Sequence, residues 1–285
     1  MPRVEVIVRG RRDQLGEGPL WSSRDQSLYW VDILDPHLNQ LDLTTGAVTA
    51  TPLAEPTGWV IERQAGGFIA GSKSGFHDLV LSPFKMTPIG DPERDIPTNR
   101  MNDAKADASG CIWAGTMGDG VTPSGSLYRL DRGRSWAKVD TGYSVTNGPA
   151  ISADGRSLFH TDSHQGVVYE FDLSDEGELS NKRVFVRFEQ EWGSPDGMTF
   201  DAEGGLWIAH WGGSCISRFS MMGVREAVID LPTPQITSLT FAGQTLDRMF
   251  VTSAAVGHED SALAGALFEI IAPGVFGIAP HRYAG

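Results

Sequence analysis

Cysteine is scarce. The 285-residue chain has two, Cys111 and Cys215, too few for a disulfide framework and not arranged as a CxxC metal or redox pair. Both read as buried free thiols. Basic residues are also in deficit: 23 Lys and Arg face 36 Asp and Glu, a net charge of −13. That balance disfavours nucleic acid and anionic membrane as partners. No apolar run approaches the roughly 18 residues of a membrane span. The opening MPRVEVIVRGRRDQ alternates apolar and charged residues, unlike the continuous apolar stretch of a secretion signal, so a cytoplasmic location is expected. Apolar residues at helical spacing are not sustained over three turns, which excludes helical solenoids. HExxH, a P-loop and a dinucleotide GxGxxG are missing too. Gly71-Ser72-Lys73-Ser74-Gly75 puts Lys73 where a nucleophile elbow needs Ser. The seven histidines show no metal-ligand spacing on a helix.

Glycine and proline, by contrast, are plentiful at 34 and 16 residues, and they punctuate turns between short strands. The turns recur. Short apolar runs after a turn place an aromatic residue at Tyr29, Phe68, Trp113, Phe159, Trp207 and Phe250, with spacings of 39, 45, 46, 48 and 43 residues. Further strand signals lie on either side, as in GPLWSS before the first aromatic and GSLYRLD after the third. Three or four strands per period, repeated six times over almost the whole chain, predict an all-β fold: a single-domain six-bladed β-propeller spanning residues 1–285, with four-stranded antiparallel blades. A leftover strand at residues 4–8 is expected to pair with residues 266–271 and hide an exposed edge.

Counting back 11 or 12 positions from each aromatic reaches the start of the first strand of each blade. The residues there are Glu17, Thr57, Asn102, Asn147, Asp196 and Ser238. Equivalent positions in a closed propeller surround one axis, so six oxygen-bearing side chains, two of them carboxylates, are expected to converge. Converging carboxylates repel unless something positive lies among them. A divalent cation is the economical answer, with Glu17, Asp196, the amide carbonyl of Asn147 and, as a further candidate, that of Asn102 as hard oxygen donors. Taken singly, LGEGP, TNGP and SPDG also read as turns. The Asp-Gly turns nearer the aromatics, at 154–155 and 201–205, read as ordinary hairpins. His160 and His210 follow strand centres and read as structural histidines or as channel-facing groups. Trp192 and Trp211 are candidates for either a pocket wall or a blade core.

LGEGPLW (15–21), NRMNDAKAD (99–107), WAGTM (113–117), TNGPAIS (146–152) and SPDGMTFDAEGGLW (194–207) together resemble the SMP-30/gluconolactonase/regucalcin family, in order over nearly the full chain. The resemblance implies a propeller that binds one divalent cation (Ca, Zn, Mg, Mn or Fe) and hydrolyses a sugar lactone. It makes Glu17, Asn147 and Asp196 the metal ligands, with Asp196 also the general base, and Arg100, Asn102 and Asp119 the substrate contacts. GTMGDG and LWIAHWGG point within the family toward bacterial aldonolactonases, hence pentono- or hexonolactones as the small-molecule partner. Two other functions fit the same fold: an organophosphate hydrolase of the diisopropylfluorophosphatase type, and a non-catalytic binding scaffold, since fold does not fix function.

Overall fold

The computed structural model describes residues 2–7 and 10–285. The short runs rich in aromatic and β-branched side chains pair with their sequence neighbours, because a strand satisfies its backbone only laterally. The result is six four-stranded antiparallel sheets, in residues 16–52, 57–90, 100–143, 146–187, 194–230 and 236–271, the last completed by Arg3–Ile7. These are blades 1 to 6 of a six-bladed β-propeller. Among the described residues no helix is long and apolar enough to cross a membrane.

Two compact units hold three blades each. One comprises Met1–Pro56 and Phe188–Ala279 and contains blades 5, 6 and 1; the other comprises Thr57–Arg187 and Pro280–Gly285 and contains blades 2, 3 and 4. In the first unit, strands Gly16–Ser22 and Ser194–Phe200 both pack on Ile236–Ala242; in the second, Thr57–Glu62 and Thr146–Ile151 both pack on Arg100–Ala106. The first strand of each blade is therefore the inner one. Glycine permits this closeness: a Cβ on Gly58 would fall 2.5 Å from the backbone oxygen of Asn102, and one on Gly197 would fall 2.6 Å from Cβ of Ser238.

All six repeat aromatics are buried. Where the residue is Trp, its polar tip needs a buried partner, and the turn before it supplies one: Trp113 Nε1 donates to Asp107 at 2.8 Å and Trp207 Nε1 to Asp201 at 2.9 Å. The same two carboxylates accept the backbone N–H groups of Cys111 and Gly205, so the turns nearest the aromatics shape the hairpins, as their sequence suggests. Both cysteines are free and buried.

The first strand, Arg3–Ile7, pairs antiparallel with Leu267–Ile271 from Arg3 opposite Ile271 to Ile7 opposite Leu267, which covers that edge. It begins one residue before the expected 4–8 segment, and Val8 lies outside the described residues. Within the second unit, residues 280–285 lie along blades 2 and 3. Tyr283 is buried there, exchanging backbone bonds with Glu62 and Gln64 and donating its hydroxyl to Asp131 O at 2.7 Å.

Candidate active site

Every inner strand carries one residue more than its partner. In the unit of blades 5, 6 and 1 the register shifts between Pro195 and Met198, between Ile236 and Ser238, and between Glu17 and Leu20. In the other unit it shifts between Thr57 and Trp59, between Met101 and Ala104, and between Asn147 and Ala150. Glu17, Thr57, Asn102, Asn147, Asp196 and Ser238 all sit at or inside these bulges. A bulge interrupts the two-residue alternation of a strand and re-aims a side chain. At two of them the backbone needs glycine: Gly18 and Gly148 hold φ at +54° and +76°.

In the unit of blades 2, 3 and 4, three of the expected site residues meet. Arg100 Nη1 donates to Asn102 Oδ1 at 2.6 Å, Asn102 Nδ2 donates to Asn147 Oδ1 at 3.0 Å and to Thr146 O at 2.5 Å, and Asn147 Nδ2 donates to Ser163 Oγ at 2.8 Å. The Arg100 side chain is further held by Met101 O at 2.9 Å and the sulfur of Met117 at 3.5 Å. Two charged residues passed over in the sequence, Asp103 and Lys105, belong to the same strand. Burial pushes the Asp103 carboxyl up to about 6 against the opposing pull of the Lys105 ammonium, and burial lowers Lys105. Asp103 also accepts from Gly148 N at 2.9 Å, fixing the backbone next to Asn147. The only sequence signal for this was the alternation in NDAKAD.

Two loops flank Arg100, one preceding its strand and one carrying Asp119. Asn99 joins them: its Nδ2 donates to buried Glu93 at 2.8 Å and to Ser124 O at 3.0 Å, and its Oδ1 accepts from Ser124 Oγ at 2.8 Å. Asp119 is exposed, and its carboxylate closes its own loop, accepting from Thr122 N at 2.7 Å, Val121 N at 2.9 Å and Thr122 Oγ1 at 2.8 Å. The Thr122 and Val121 amides hold its carboxyl below the usual range.

In the unit of blades 5, 6 and 1, Glu17 and Asp196 are 6 % and 4 % exposed, and Glu17 Oε2 accepts from Gly18 N at 3.1 Å. Ser238, at the neighbouring bulge, lies against Gly197. His210 is fully buried, with Nδ1 2.8 Å from Trp192 O and its ring 4.6 Å from that of Phe188. Trp192 in turn lies 4.6 Å beneath the Arg225 guanidinium. In blade 4, His160 is fully buried against Tyr143, ring centroids 4.6 Å apart. Desolvation lowers His160 to about 3 and His210 to about 4, so both are neutral blade-interior residues. Trp192 is half-buried.

Among the described residues no group of three or more His, Cys, Asp or Glu is placed to hold a metal, so a cation would need amide oxygens as well. Each unit carries hard oxygen donors of that kind at its bulges: the buried carboxylates of Glu17 and Asp196 in one, and in the other the carbonyl of Asn147, whose NH2 is committed to Ser163.

A family model for the SMP-30/Gluconolactonase/LRE-like region matches residues 15–255. The chain belongs to this family. The matched interval contains all six inner-strand bulges. Regucalcin of Danio rerio is 32 % identical over 295 residues, covering 99 % of both chains. Pentonolactonase XacC of Haloferax volcanii is 33 % identical over 272 residues, covering 90 % of each. The crystal structure of regucalcin from Agrobacterium tumefaciens, described as a calcium-binding protein, superposes with a TM-score of 0.92 at 27 % identity, over 98 % of this chain and 97 % of that one.

Proposed function

We propose that the chain is a single-domain, divalent-cation-dependent lactonase that opens a neutral sugar lactone to its aldonic acid, with Glu17, Asn147 and Asp196 as cation ligands. The observation that carries this reading is the hydrogen-bonded series Arg100–Asn102–Asn147, which links a cationic donor to an oriented amide carbonyl at two inner-strand bulges. Kinship with a pentonolactonase of similar length supports the reaction class. When bound, the cation supplies Lewis-acid polarisation of the ester carbonyl.

The chain's own residues do the rest. Asp196 takes the proton of the attacking water as general base. Arg100 donates to the lactone, where a fixed cationic donor in a water-poor site is worth about 3 kcal/mol in the transition state. Asn102, whose amide is already committed to Arg100, Thr146 and Asn147, holds that donor in place. Asp119, rigid within its loop, accepts from a sugar hydroxyl. A net charge of −13 leaves a neutral lactone unopposed on approach and favours departure of the anionic product.

A site that hydrogen-bonds hydroxyls discriminates against analogues lacking them, by up to roughly 10⁴-fold. Xylono-, arabinono- and gluconolactone are therefore expected to exceed unsubstituted butyrolactone in kcat/KM. The comparison should include an acyl-homoserine lactone and a fluorophosphate under one metal condition. If either of the last two is fastest, the sugar-lactone reading is wrong.

A further inference from the structure

We propose that Ser163 is a positioning residue for the cation: its hydroxyl fixes the Asn147 amide so that the carbonyl oxygen, and not the NH2 group, faces the ligand position. This rests on reading Asn147 as a ligand. The direction of every bond in the series follows from its two ends. A guanidinium can only donate and a backbone carbonyl can only accept. Arg100 therefore requires Asn102 to turn Oδ1 toward it at 2.6 Å, which leaves Asn102 Nδ2 for Thr146 O and for Asn147 Oδ1. Asn147 must then present its NH2 on the opposite side, where an acceptor is needed. Ser163 Oγ is that acceptor, 2.8 Å away, in a place where Asn147 and Ser163 are 3 % and 7 % exposed.

Ser163 is itself held. Its N–H donates to Val145 O at 2.9 Å, and the preceding Asp162 carboxylate accepts from Ser144 N at 3.1 Å and Val145 N at 3.4 Å. The turn bearing the serine is thus tied to the residues just before Asn147. Without Oγ, a buried NH2 loses its acceptor, and the Asn147 amide is held only by the single bond from Asn102 Nδ2. Loss of a group that orients a metal ligand typically weakens metal affinity by 10- to 100-fold.

The test is calorimetric titration of Ca²⁺ alone and Mn²⁺ alone into chelator-treated wild type, Ser163→Ala and Ser163→Thr, with melting of the metal-free proteins alongside. Ser163→Ala is expected to bind about 10- to 100-fold more weakly with its metal-free fold intact and its melting temperature lowered by about a few degrees for the unpaired NH2, and Ser163→Thr, which keeps the hydroxyl, to bind like wild type. Excess cation should restore turnover in the Ala variant. Ser163→Cys fills the same space with a poor acceptor, so it should bind as weakly as Ala without leaving a cavity. Equal affinity in wild type and Ser163→Ala, or equal weakening in Ala and Thr, overturns the role of the hydroxyl. Absence of binding in wild type instead overturns the cation reading beneath it.

Discussion

Asn102 donates to the side-chain carbonyl of Asn147 across 3.0 Å while accepting from Arg100 at 2.6 Å. One amide thus joins the residue assigned to substrate and the residue assigned to the cation, and it does so between the inner strands of adjacent blades. Arg100 and the Thr146 carbonyl cannot reverse their roles, so they orient Asn102 and, through it, Asn147, and the arrangement exists before any ligand arrives. Preorganisation of this kind matters because donors already in place need no reorganisation during the reaction.

Arg100→Ala is expected to reduce kcat/KM for a sugar lactone by about 10²-fold, the equivalent of about 3 kcal/mol, while metal content and melting temperature stay near wild type. Arg100→Lys should recover only part of the loss, because an ammonium lacks the planar fork that sets Nη1 on Asn102 and Met101 O while Nη2 meets the Met117 sulfur. Steady-state kinetics on folded variants checks this, and undiminished turnover in Arg100→Ala would assign Arg100 to the surface.

Buried His160 sets a pH dependence of stability. Its folded pKa is lowered from 6.5 to about 3 by desolvation, so between those values the unfolded chain binds the extra proton. Stability is fully present above 6.5 and is lost as pH falls through the window, by up to about 1.4 kcal/mol per pH unit. His160→Phe should flatten the slope of unfolding free energy between pH 6 and 4 in metal-free protein. Some slope persists, since His210 is lowered in the same sense. An unchanged slope in denaturant titrations would mean that His160 is not buried as a neutral ring.

Tyr283 anchors residues 280–285 in the unit of blades 2, 3 and 4. Tyr283→Phe removes the hydroxyl bond to Asp131 O and is expected to cost about 1 kcal/mol, whereas Tyr283→Ala opens a cavity in a buried cluster with Trp59, Met101 and Tyr128 and should cost about 3–5 kcal/mol. Chemical denaturation distinguishes the two, and equal losses would contradict the assignment of the larger share to packing.

The propeller was legible because a blade must bury one aromatic in each repeat, and burial leaves a period in the sequence. The inner-strand positions were legible for a related reason: the path from bulge to aromatic is a strand end and a hairpin, so the offset is nearly constant from Glu17–Tyr29 to Ser238–Phe250. The bulges themselves were not, since an extra residue is defined only against the partner strand. Ser163 was invisible because it lies 16 residues from Asn147 and reaches it only through pairing of their strands. Asp119 read as a ligand contact by motif, and its bonds to Thr122 and Val121 depend on loop geometry that spacing does not encode. The stacking of Arg225 over Trp192 joins residues far apart in the sequence.

The most direct test of the account is acid release from xylonolactone at constant pH, followed with wild type, Glu17→Gln and Asp196→Asn, before chelation, after it, and after stepwise return of one divalent cation. The account predicts that chelation abolishes enzymatic release in wild type and that about one equivalent of cation restores it. Glu17→Gln should need a higher cation concentration, and Asp196→Asn should remain slow even when saturated because it lacks both a ligand charge and the base. Hydrolysis that survives complete removal of divalent metal, or full activity and wild-type metal affinity in both variants, would contradict it.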